Sequence, residues 1–326
     1  MRPLAALPKA HLHLHLEGGM RPGTLTELAG AYGMAVPPIR GYGSFSAFAG
    51  MYLTACEVLR TPADLARVVR EAVLDAAAAG AVWFEPSLYP VIHADRLGPA
   101  RDVLEIVLDA SRAAADEAGI GVGWQVAGDR TVDPAISLQM AELAAAHADA
   151  GVVAFGLVND EVGHPPEPFA PAFRVARDAG LIAAPHAGEL AGPDSIRGAL
   201  DALGARRIQH GVRALEDPAL VERLADEQVC LDVCPTSNLL LGVVTDLADH
   251  PLPRLLSAGV PCSVNGDDPL LFGSGLLDEY TRCREQLGMD DAALARVAAD
   301  SLTHSGAPDD LKAAGLRGVA AWVAEG

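Results

Sequence analysis

His11, His13 and His15 alternate with Leu12, Leu14 and Leu16, and Glu17-Gly18 follows directly. A period of two is that of a β-strand, which puts the leucines on one side and the imidazoles and Glu17 on the other. Same-face neighbours lie roughly 7 Å apart at Cα, so two imidazoles can converge on one metal ion with bonds of about 2.0–2.1 Å. A half-exposed edge strand would show the same alternation, so the segment needs support from elsewhere. Three further apolar runs supply it, ending in Pro185-His186-Ala187-Gly188-Glu189, in Gln209-His210-Gly211 and in Asn265-Gly266-Asp267-Asp268-Pro269. Singly, each has a structural explanation: a satisfied core histidine, a turn, or a helix N-cap before proline. Together, histidine and carboxylate at four strand ends are hard to obtain from packing. His13, His15, His186 and Asp267 form a nitrogen-and-oxygen set suited to Zn²⁺, with Fe²⁺ or another divalent ion also compatible. His11 lies one pleat deeper. Glu189, His210 and Asp268 are left beside the metal, free to move protons and to orient a water acidified by the ion. The chemistry is hydrolysis.

The elements that must position these residues alternate along the chain. Apolar β-like runs occupy 10–16, 81–86, 120–126, 152–158, 181–186, 207–210, 229–233 and 260–265. Helical spacing fills 62–79, 99–118, 134–149, 168–179, 193–203 and 216–227, and Gly80, Gly119, Gly151 and Gly180 punctuate the helix ends. Eight strands with helical crossovers predict a parallel α/β fold, a (β/α)₈ TIM-type barrel whose chemistry sits at the C-terminal ends of the strands. An open doubly wound sheet is the alternative, but no G-x-G-x-x-G follows the first strand. Residues 21–60 read as an N-terminal helical insertion, a candidate lid over the barrel mouth, and residues from about 276 as extra helices. No linker or repeat divides 1–326, so one domain is expected.

Composition narrows the function further. A net charge of −19 without a basic patch opposes docking on nucleic acid polymers or anionic lipid. No apolar run reaches a membrane span, no leader pattern opens the chain, and the five cysteines form no C-x-x-C, so a cytoplasmic location is expected. Lys9 and Lys312 are the only lysines, and neither can bridge two metals as a carboxylated lysine at mid-barrel, which favours one metal. H-E-x-x-H and G-x-S-x-G are absent, and His15-x-Glu17 lacks the P-C-x-x-C that a cytidine-type deaminase needs.

From Leu7-Pro8-Lys9 to about residue 305 the chain resembles the adenosine deaminase group of the amidohydrolase superfamily. The resemblance rests on His13-x-His15-x-Glu17-Gly18, Asn159-Asp160-Glu161, His186-Ala-Gly-Glu189, His210-Gly211, Asp267-Asp268-Pro269 and Cys234-Pro235-Thr236-Ser237-Asn238. It implies a (β/α)₈ barrel with one Zn²⁺ on His13, His15, His186 and Asp267. It implies that Glu189 protonates purine N1 while an activated water, oriented by His210 and Asp268, attacks C6 and ammonia leaves. The substrate implied is a 6-aminopurine nucleoside of the adenosine type, giving an inosine-type product, with Glu17, Asn159 and Asp268 as substrate contacts. Adenine, 6-amino-6-deoxyfutalosine, or a different amide or ester hydrolysis on the same barrel are the alternatives. Three departures bear on this choice. Glu17 replaces a ribose-binding aspartate, as in relatives that act on free adenine; Asn159 replaces a glycine; and Phe84-Glu85-Pro86-Ser87 lacks an expected arginine.

Overall fold

In the computed structural model, which describes residues 2–36, 42 and 45–324, the parallel strands make eight staves. These are β1 (Lys9–His11); β2 (Ala81–Phe84) continued by β3 (Ser87–Leu88); β4 (Gly121–Val122) continued by β5 (Trp124–Asp129); β6 (Val152–Val158); β7 (Ile182–Ala183) continued by β8 (His186–Ala187); β9 (Arg207–His210); β10 (Cys230–Val233); and β11 (Cys262–Val264). Each stave pairs with the next. The ring closes where Leu14 bridges Asp267, with His15 N–H donating to Asp267 O at 3.0 Å and Asp267 N–H to His13 O at 3.1 Å. The fold is the TIM-type α/β barrel.

Several staves are broken where one run was expected. After β1 the ladder lapses, because Asn265 Oδ1 accepts the N–H groups of Leu12 and His13 at 2.7 and 3.2 Å. A side chain stands in for ladder carbonyls there, and pairing resumes only as bridges at Leu14 and His15. Glu85-Pro86 and Ala184-Pro185 interrupt two other staves, as proline lacks the N–H a ladder needs. The third stave runs on to Asp129, three residues past its expected end, paired with β6 through Val158.

Leu12, Leu14 and Leu16 are buried against the surrounding shell, each contributing about 1.5–3 kcal/mol. His11 and His13 are equally buried on the inner side, which removes the edge-strand reading. The outer layer includes Pro62–Ala78, Ala100–Ala118, Pro134–Ala146, Ala170–Asp178, Pro193–Gly198, Pro218–Asp226 and Leu252–Ser257. Thr61 and Asp64 close a capping box on the first of these, and Gly119 (φ 68°) ends the second in the left-handed region. Leu276–Glu285, Asp291–Thr303 and Asp309–Ala324 supply the expected extra helices; Ser301 accepts the Ala10 N–H at 2.9 Å and ties them to the barrel. Of the 21–60 insertion, Pro22–Ala31 and Phe45–Glu57 are helical, while 37–41, 43 and 44 lie outside the described residues. No helix among the described residues is long and apolar enough to cross a membrane.

Candidate active site

The C-terminal ends of the staves open on a cavity of about 280 Å³. One wall is polar and carries His15, His186, Glu189, His210, Asp267 and Asp268. The other is largely apolar, with Phe45, Phe48, Tyr52 and Leu53 from the insertion together with Ile92 and Leu241. The insertion is therefore part of the cavity itself. Among the described residues, four non-glycine residues have positive φ, and three of them belong to the site: Asn159 (82°), His210 (63°) and Asp267 (58°). Backbone strain gathered at strand ends is characteristic of sites whose side chains are held in place by the rest of the fold.

The histidines meet in a way that calls for a cation. His13 Nδ1 faces the Asp232 carbonyl at 3.1 Å and His186 Nδ1 faces the Leu157 carbonyl at 3.0 Å. A carbonyl only accepts, so each Nδ1 carries the ring proton and each Nε2 is a bare lone pair. Those two lone pairs face each other at 3.2 Å. Asp267 Oδ1 lies 3.3 Å from His13 Nε2 and 3.4 Å from His15 Nε2. Lone pairs and a carboxylate converging in a buried site repel unless a positive ion sits between them. The donor set therefore fits a divalent metal. Distance alone groups His210 with His13, His186 and Asp267 within 4.8 Å, and His15 with Asp267 and Asp268. His11 belongs to neither group; it stacks on Phe84 and accepts the Gly266 N–H at 3.1 Å.

Glu189 and Asp268 complete the polar wall. Glu189 Oε1 and Asp268 Oδ1 are buried without a hydrogen-bond partner among the described residues. Burial, with Asp267 and Glu161 nearby, raises the Glu189 carboxyl well above its ordinary value, which favours its neutral form. Burial beside Asp267 pushes Asp268 up as well. Gly18 makes the placement of Asp268 possible, because a Cβ there would fall 1.9 Å from Asp268 Oδ1. His210 Nε2 lies 3.5 Å from Glu189 Oε1 and 3.7 Å from Asp267 Oδ2. Burial and the adjacent His13 pull His210 down to about 3, leaving a neutral imidazole. The turn that carries Glu189 is gripped by Glu161, which accepts the N–H groups of Gly188, Glu189, Leu190 and Ala191 at 2.5, 3.0, 2.8 and 2.9 Å. Glu161, last of the Asn159-Asp160-Glu161 run, thus serves to hold this turn.

Glu17 and Asn159 are placed less directly. Glu17 does not line the cavity: Oε1 accepts from His93 Nε2 and Oε2 from the Tyr52 hydroxyl, both at 2.5 Å, so the side chain facing the substrate space is Tyr52. Asn159 does line it, but its Nδ2 donates to Asp129 Oδ2 at 2.9 Å, and its backbone keeps the left-handed turn a glycine would make. Sequence reading missed Tyr52, His93 and Asp129. Only Asp129 had a signal, as the true end of a strand drawn three residues short.

The adenosine deaminase family model matches residues 8–322. A putative adenosine/adenine deaminase of Streptomyces coelicolor is 45% identical, covering 99% of this chain and 98% of that protein. The crystal structure of an adenine deaminase from Arthrobacter aurescens is 33% identical and superposes with a TM-score of 0.92 over 97% of this chain and 99% of that one. An amidohydrolase from Burkholderia ambifaria, solved with bound Zn, is 28% identical with a TM-score of 0.87, covering 99% and 91% of the two chains. With the barrel and the strand-end residues in place, these matches make the chain a member of the adenosine deaminase family.

Proposed function

We propose that this chain is a metal-dependent purine aminohydrolase that replaces the 6-amino group of a 6-aminopurine with oxygen and releases ammonia. The observation that carries this reading is Glu189, a buried carboxyl standing beside a metal-type donor set in a cavity that is also lined by Phe45, Phe48, Leu53 and Ile92. His13, His15, His186 and Asp267 would hold one Zn²⁺ or another divalent ion. The ion supplies Lewis acidity that makes water a nucleophile near neutral pH. Glu189 gives its proton to the ring nitrogen beside C6, which leaves C6 electron-poor. His210 and Asp268 orient the attacking water, Asp268 through the unpartnered Oδ1. One water proton reloads Glu189 and so replaces the proton now on N1. The other leaves with the amino nitrogen as ammonia when the C6–N bond breaks.

The family resemblance implies an adenosine-type nucleoside giving an inosine-type product. One observation favours free adenine as a second reading: Glu17, the expected ribose contact, is held by His93 and Tyr52 and does not reach the cavity. The test is ammonia release from zinc-loaded protein given adenosine, 2′-deoxyadenosine, adenine, 6-amino-6-deoxyfutalosine or cytidine. Turnover of one purine supports the reaction and identifies its substrate. Silence on every purine with zinc bound overturns it in favour of another hydrolysis on this barrel.

A further inference from the structure

Behind His210, on the side away from the cavity, three polar contacts run in a line. His210 Nδ1 lies 3.2 Å from Asn238 Nδ2, Asn238 Oδ1 lies 3.2 Å from His250 Nε2, and His250 Nδ1 lies 3.2 Å from the Leu252 backbone nitrogen. All three side chains are buried, His210 at 1%, Asn238 at 0% and His250 at 2% exposure. Burial, with Arg254 nearby, pulls His250 down to about 4, so it is neutral at pH 7.

The direction of this line follows from its far end. The Leu252 N–H opens the helix Leu252–Ser257, has no intrahelical acceptor and can only donate. His250 Nδ1 must therefore accept, and a neutral imidazole that accepts at Nδ1 carries its proton on Nε2. That N–H requires an oxygen opposite it, which fixes the Asn238 amide with its oxygen toward His250 and its NH₂ toward His210. His210 Nδ1 must accept in turn, so its proton sits on Nε2, facing Glu189 and Asp267. One backbone N–H thus determines the state of every group up to the centre of the site.

We infer that Asn238 and His250 are positioning residues that lock His210 in its Nε2–H tautomer. Locked so, His210 presents a hydrogen-bond donor to the oxygen that attacks and offers no lone pair to a metal. This separates it from His13 and His186, whose Nδ1–H tautomers are set by carbonyls. The part of this inference that concerns an attacking oxygen rests on the deaminase reading; the tautomer does not.

The test is the nitrogen spectrum of zinc-loaded protein labelled with ¹⁵N-histidine, with the His210 signals assigned from a His210→Ala sample. The parent is expected to show an unprotonated Nδ1 and a protonated Nε2 at His210. In Asn238→Asp, at a pH where the carboxylate is ionised, the residue can only accept, so His210 Nδ1 should gain the proton and kcat should fall about 10- to 100-fold, the usual scale for a group acting through another. His250→Phe frees the amide to turn over and should give a mixture of tautomers. His250→Gln keeps an N–H for Asn238 and should restore most of both readouts. A parent with His210 protonated at Nδ1, or an Asn238→Asp protein with its tautomer unmoved, overturns the inference even if turnover drops. Tautomers that move as expected in a protein silent on purines leave the relay standing and remove the deaminase reading instead. A variant that fails to fold leaves the parent spectrum decisive.

Discussion

Two clusters of buried polar groups lie at opposite ends of β9. At its start, Arg207 sits between Glu85 and Asp232 at 2.7 Å from each, all three fully buried. Glu85 also accepts from Trp83 Nε1 at 2.7 Å, and Asp232 from Ser263 at 2.7 Å. At its end, three residues on, His210 faces Glu189, Asp267 and the paired lone pairs of His13 and His186. In the first cluster opposite charges meet as ion pairs, although Arg207 Nη2 has no hydrogen-bond partner among the described residues. In the second, like groups are pressed together, and no Arg or Lys among the described residues makes an ion pair with Glu189 or Asp267. Buried lone pairs and carboxylates converging without an opposite charge repel, so the second cluster makes sense if a cation completes it. The matched cluster is scaffold; the unmatched one is where binding and reaction can gain most.

The two clusters should respond in opposite ways to substitution. Glu189→Gln should lower turnover of the zinc-loaded enzyme by about 10²- to 10⁴-fold, the range for losing a general acid. Its urea midpoint should not fall, because a neutral glutamine is easier to bury beside Asp267 and Glu161 than a carboxyl is. Arg207→Met should do the reverse, costing about 3–5 kcal/mol by leaving two buried carboxylates unpaired. Turnover per folded molecule should then be unchanged. A Glu189→Gln protein as unstable as Arg207→Met would mean that the mouth cluster is scaffold too.

Glu279 offers an intermediate case, a buried carboxylate whose hydrogen-bond partners are neutral. It accepts from the Thr236 N–H at 3.0 Å and from the Ser274 hydroxyl, and burial raises it to about 7. A carboxyl raised on folding binds its proton more tightly in the native state. Its contribution is therefore fully present below the ordinary value of 4.5 and is lost as pH rises through about 7. Glu279→Gln has no such proton, so its stability relative to the parent should rise between pH 4.5 and 8 by up to about 3 kcal/mol. Urea midpoints of the two proteins across that range check the sign. A flat difference would mean that neutral donors suffice to hold a buried carboxylate ionised.

Much of the scaffold and of the mouth was legible, for a shared reason. His13, His15, His186, Glu189, His210, Asp267 and Asp268 stand at the ends of apolar runs, and a parallel barrel gathers those ends on one face. What escaped was whatever depends on a partner distant in sequence. Nothing near His93 marks it as a partner of Glu17, 76 residues away, and nothing near His250 indicates Asn238. The break after β1 was hidden because it comes from Asn265, on the last stave. The third strand looked finished at 126 because Ala127-Gly128 carry little β signal; pairing with Leu157 and Val158 extends it. Helices read well because their caps and spacing are local.

Asn159 gives the finest comparison, between a residue's backbone and its side chain. Its φ of 82° belongs to the left-handed region, where glycine is unstrained and asparagine tolerated, so Asn159→Gly should relieve strain. The same change removes the bond from Nδ2 to Asp129, a loss of similar size, so net stability should stay within about 1 kcal/mol of the parent. The functional consequence is separable. Asn159 and Asp129 both line the cavity; without the amide Asp129 Oδ2 loses a partner while Oδ1 stays held by Thr131, and the space the side chain leaves opens beside it. If that side chain restricts the pocket to a base, the ratio of kcat/KM for adenosine over adenine should rise about tenfold, the scale of one small group in a pocket. An unchanged ratio would make Asn159 a backbone residue only, and substrate choice would then fall to Tyr52, held from behind by Glu17 and His93.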